Sequence, residues 1–94
     1  MWTVTLTYNA DKAKKALPEK IQAVLLTLAV EIEKQGPIRG NWPNYSALDK
    51  KKIRHHCHLK RKGKPTYVAI WEIKDKPNKI IEVTYVGTRE NAPY

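Results

Sequence analysis

Three strand-like runs follow one another in the second half of this chain: "KIRHHCHLK" (52–60), "TYVAIWEIK" (66–74) and "KIIEVTYVG" (79–87). The separators "RKGKP" and "DKPN" are hairpin-sized and carry turn residues, so the runs are expected as consecutive antiparallel strands. Three strands with one apolar face need something to cover it, and the first third of the chain supplies helices. From Pro18 onward Ile21, Val24, Leu25, Leu28, Ala29 and Ile32 recur at helical spacing up to Gln35-Gly36-Pro37. Beside them Ala23, Leu26 and Val30 form a second, weaker stripe, available to the first helix or to a partner.

Ahead of this helix, "WTVTLTY" (2–8) alternates Val4 and Leu6 with Thr3, Thr5 and Thr7, the pattern of a half-buried strand. "NADKAKKAL" offers Asn9 or Asp11 as the N-cap of a short helix running to about Ala16. The stretch "GPIRGNWPNYSALD" (36–49) reads as a long ordered loop pinned by Trp42 and Tyr45. The order is therefore β-α-α-β-β-β: an α+β sandwich, with an antiparallel sheet and two N-terminal helices packed on one face. At 94 residues it forms a single domain, 1–94. No run approaches the roughly 20 apolar residues of a membrane span, and "MWTVTLTYNA" lacks the pattern of a signal peptide. A cytoplasmic location is expected, in keeping with a single cysteine.

Eighteen Lys and Arg against nine Asp and Glu give a formal charge of +9, enough to attract polyanions. The charge is concentrated: Lys50, Lys51, Lys52, Arg54, Lys60, Arg61, Lys62 and Lys64 lie in one segment without an acidic residue between them. All three histidines and the one cysteine fall inside it, as His55, His56, Cys57 and His58.

Side chains alternate across a strand, so this cluster divides. Ile53, Cys57 and Leu59 belong to the apolar face, with His55 near its edge, while Arg54, His56, His58 and Lys60 stand on an open, cationic face. Zinc needs three or four ligands converging on one point, and adjacent histidines on a strand diverge, so no metal is expected. Imidazoles that exchange protons near neutral pH, beside cations that bind phosphate, match the needs of RNA phosphodiester cleavage by the ribose 2′-oxygen. The other reading of the same residues is a solvated histidine pair among lysines.

The order of elements, with "KIRHHCHLK", "TYVAIWEI" and the closing "IIEVTYVGTRENAPY", resembles the RelE/ParE superfamily of bacterial toxin-antitoxin toxins, over nearly the full chain. The resemblance implies a RelE-like fold and a ribosome-dependent mRNA endonuclease that leaves a 2′,3′-cyclic phosphate and uses no cofactor. Its implied partners are an antitoxin protein, the ribosome and mRNA. Carried over by position, it implies that His56, His58, Arg89 and Tyr94 act in catalysis, with Arg54, Lys60, Arg61, Lys62 and Lys64 holding RNA phosphates. Where many such toxins place an arginine early in the third strand, this chain reads Tyr67-Val68-Ala69, so Arg61 or Lys64 would have to supply that charge. ParE-like members instead inhibit DNA gyrase, and a basic module that binds nucleic acid without cutting it is a third reading.

Overall fold

The long apolar stripe folds as expected. In the computed structural model, which describes residues 1–60 and 62–94, a helix α2 spans Glu19–Gln35 and buries Ile21, Leu25, Leu28 and Ile32. Gly36 ends it with a positive φ of 96°, and the Trp2 indole lies where a Cβ would stand, 3.2 Å away. A shorter helix α1, Tyr8–Lys15, begins earlier than the Asn9 or Asp11 expected as its cap. Thr7 caps it instead, its hydroxyl accepting the Ala10 N–H at 3.1 Å.

Five strands make one sheet: β1 (Thr3–Leu6), β2 (Ser46–Ala47), β3 (Arg54–His58), β4 (Tyr67–Asp75) and β5 (Ile80–Thr88), in the spatial order β1-β5-β4-β3-β2. The class is α+β, and the order of elements is the one read from the sequence with one short strand, β2, added between α2 and β3. The sheet itself is mixed: β1 lies parallel to β5, Thr3 opposite Ile80 and Leu6 opposite Val83, while the other pairs are antiparallel. The helices carry the chain from the β1 edge to the opposite edge, and the meander then returns to it. The extra strand β2 comes from inside the Pro/Gly loop.

The helices cover the face bearing Cys57, Leu59, Ala69, Trp71, Ile81, Val83 and Val86. Ile53, expected there, precedes β3 and is 37% exposed. Leu26 and Val30, the second stripe of α2, are exposed.

One irregularity matters for the site. Ile70 pairs with Tyr85 but Trp71 pairs with Val83, leaving Thr84 as an extra residue in β5. This bulge lets Val83 and Val86 both reach the core, and it turns Tyr85 to the other face.

Candidate functional site

Strand alternation separates the imidazoles as expected, but both faces are more enclosed than the sequence suggests. His55 is not at an edge: it is fully buried among Tyr45 and Trp71, with ring centroids 5.8 and 5.9 Å away. The Tyr45 hydroxyl bonds its Nδ1 at 2.7 Å and its Nε2 bonds the Lys52 carbonyl at 2.8 Å. The carbonyl partner requires a proton on Nε2, and burial holds the ring's pKa below the ordinary histidine value, which favours the neutral form with Nδ1 accepting from Tyr45. Cys57 is also fully buried, and burial pushes its thiol up to about 12, which leaves it an inert core residue.

His56 and His58 share the opposite face, ring centroids 6.2 Å apart. That face was expected to be open; here His56 is only 9% exposed, and Val68 and Ile70, its neighbours on β4, are fully buried. The C-terminal segment supplies cover over His56. After β5 a single 3₁₀ turn, Arg89–Asn91, redirects the chain, and the Tyr94 ring comes to 4.7 Å from that of His56. His58 stays partly exposed.

Gly87 and Tyr85 set the direction of that turn. The Tyr85 phenol lies across Gly87, where a Cβ would meet its oxygen at 2.8 Å, and the hydroxyl donates to the Thr88 carbonyl at 2.7 Å. The Arg89 N–H then bonds the Thr66 carbonyl at 2.9 Å, tying the turn to the start of β4. The "VGTRENAPY" ending thus has a local mechanical reason: glycine admits the phenol, and the phenol anchors the backbone ahead of Arg89.

Electrostatically the cluster favours neutral imidazoles. Burial is the main cause lowering the pKa of His56, reinforced by the Arg89 charge and opposed by hydrogen bonding to Ser46. His58 is lowered by burial, then by His56 and Arg89. Burial raises the Tyr94 phenol, with the Arg89 charge pulling the other way. At neutral pH the site therefore holds two unprotonated imidazoles, a protonated phenol and a guanidinium. The Ser46 hydroxyl, 3.1 Å from His56 Nδ1, belongs to this arrangement and carried no signal in the sequence, since a lone serine in a loop predicts no strand.

No protein-family model matches the chain, and no curated protein matches its sequence. Solved structures do. A chain of the archaeal RelE-RelB complex from Pyrococcus horikoshii OT3 is similar over 97% of this chain and 98% of its own, with a TM-score of 0.72 at 16% identity. The fold is RelE-like. A mutant of the Escherichia coli toxin RelE in the free state aligns over 97% of this chain and 86% of its own, with a TM-score of 0.68 at 16% identity. The conserved hypothetical protein HP0892 from Helicobacter pylori aligns over 96% and 97%, with a TM-score of 0.58 at 18% identity.

Within this RelE-like fold, His56, His58, Tyr94 and Arg89 come together on one face. The other candidates do not join them. Arg54 sits at the far end of β3, opposite Glu72. Lys60 folds back over Gly63, its Nζ 3.5 Å from where a Cβ would be. Lys62 and Lys64 are exposed in the β3–β4 connection, and Arg61 lies outside the described residues. Val68, opposite His58, has no room for an arginine without displacing its surroundings.

Proposed function

We propose that the chain is the toxin of a toxin-antitoxin pair and cleaves mRNA on the ribosome without a metal. The observation that carries this reading is the convergence of two neutral imidazoles, a phenol and an arginine on one face of a strongly basic chain. His58, the more accessible ring, takes the proton from the ribose 2′-hydroxyl as that oxygen attacks the adjacent phosphorus. The phosphorus–5′-oxygen bond breaks as the 2′-oxygen bond forms, leaving a 2′,3′-cyclic phosphate. The Tyr94 hydroxyl returns a proton to the leaving 5′-oxygen, with His56 packed against it. Arg89 stabilises the charge on the phosphoryl oxygens, and Lys60, Lys62 and Lys64 hold the flanking phosphates.

The ribosome orients the message in this scheme, and correct orientation alone contributes several kcal/mol to such reactions. The similarity to a RelE-RelB complex supports a small antitoxin protein as partner, and exposed Leu26 and Val30 on α2 offer it apolar surface. The deciding experiment is induced expression with messages mapped by primer extension. Growth arrest and cleavage of translated messages are expected, both lost on combining His58→Ala with Tyr94→Phe. Cleavage that survives that pair rules the chemistry out, and arrest with intact messages and blocked supercoiling would point to gyrase.

A further inference from the structure

A second feature lies beside His58, on the edge of the sheet. The loop after α2 folds back so that Trp42 Nε1, Asn41 Nδ2 and an Arg39 guanidinium nitrogen all donate to one oxygen of Glu31, at 2.9, 3.0 and 3.2 Å. The three donors use Oε1; among the described residues none is recorded on Oε2. They also hold the carboxyl below its ordinary range, so it is an anion at neutral pH. Glu31, Asn41, Trp42, Pro43, Leu59 and His58 line a cleft of about 340 Å³, a size within the range of small-molecule sites.

Even paired with Arg39, a carboxylate is an odd lining for a surface proposed to hold RNA, because its second oxygen repels phosphate. It suits a base. Asn41 donates its amide nitrogen to Glu31 Oε1, so this hydrogen-bonded pair leaves two further oxygens as acceptors, the Asn41 carbonyl and Glu31 Oε2. Two acceptors offered by one such pair suit a base edge with two adjacent N–H donors. Guanine has that edge, N1–H beside its exocyclic N2 amino group. Adenine and cytosine offer one amino group beside an acceptor nitrogen, and uracil one N–H between two carbonyls. Trp42 and Pro43 supply flat apolar surface for the ring.

We infer that this cleft is a guanine-binding subsite, in which Glu31 accepts from N1–H and the Asn41 carbonyl from the N2 amino group. The inference rests on the nuclease reading for its substrate class, and it places the guanosine where its own phosphate reaches His58. A cationic side chain of a protein partner would also suit a carboxylate, but the net charge of +9 and the adjacent basic segment disfavour one.

Binding can be read without any cleavage. The folded chain is titrated with the 5′-monophosphates of guanosine, inosine, adenosine, cytidine and uridine, following the Trp42 indole N–H and His58 ring signals by NMR. Guanosine monophosphate should move both and bind about tenfold more tightly than the other four, inosine included, because inosine lacks the N2 amino group. Asn41→Ala should erase the guanosine-inosine difference, and Glu31→Gln, checked for native folding by circular dichroism, should remove the preference for both. Equal affinities for all five, shifts confined to the 62–64 lysines, or the same signals moved by arginine amide and by no nucleotide would each overturn the subsite. A chain that prefers guanosine monophosphate yet cuts no message on the ribosome would overturn the nuclease reading and leave this site standing; one that cuts messages with no such preference would do the reverse.

Discussion

At the scale of single residues, Gly87 and His55 show how much of this site is held by positions with no chemistry of their own. Gly87→Ala puts a methyl group 2.8 Å from the Tyr85 oxygen, and overpacking of this kind costs about 1–3 kcal/mol. The phenol must move, the Thr88 carbonyl loses its donor, and Arg89 loses its fixed direction. Urea denaturation should show the destabilisation, and cleavage should fall further than stability alone explains. His55 acts through protonation. Its folded pKa lies below the ordinary value of about 6.5, so between the two values the unfolded chain binds more protons than the folded one. Stability is then full above about pH 6.5 and declines as pH falls below it. His56 and His58, lowered in the same sense, add to the decline. Thermal melts at pH 7.5 and 5.5 should differ in the wild type, and the difference should shrink in His55→Gln. A slope unchanged by that substitution would move the titration to the other two rings.

At the scale of elements, the sequence showed the strands and helices but not how the chain closes over them. Alternation placed Cys57 inward and His56 and His58 on the other face, because a strand period of two needs no tertiary information. The same rule misleads in β5: unbroken alternation would send Val83 and Tyr85 to one face, and only the extra Thr84 sends Tyr85 to the other. A bulge depends on the partner strand, so nothing local in "EVTYVG" announces it. The covering of His56 by Tyr94 is equally non-local, and here the resemblance, rather than the residue pattern, marked the tyrosine. Since burial is the main cause lowering His56, removing the cover tests the account directly. Tyr94→Ala should raise the His56 pKa toward about 6.5, read from its ring protons during an NMR titration, while His55 keeps its value. A His56 curve that does not move would mean that Arg89 and the sheet, not the tail, set its protonation.

For the whole molecule, the deciding property is where the charge sits. Basic residues flank β3 on both sides along the chain, Lys50, Lys51 and Lys52 before it and Lys60, Lys62 and Lys64 after it, so the two imidazoles lie midway along a cationic track of the sequence. That track was legible because it is contiguous in sequence. The Glu31 clasp was not, because it joins a helix to a loop through one acid with no motif around it. If the track guides a single RNA strand, each phosphate contact contributes a slope of about −0.7 to the dependence of log affinity on log salt. Replacing Lys62 and Lys64 by glutamine should therefore flatten the slope by up to about 1.4, measured by fluorescence anisotropy with a short RNA. Replacing Lys12 and Lys15, exposed on α1 in the helical layer, removes the same net charge from elsewhere and should leave the slope nearly unchanged. Equal flattening by both pairs would mean that RNA responds to the total charge of the molecule and that the track has no directing role.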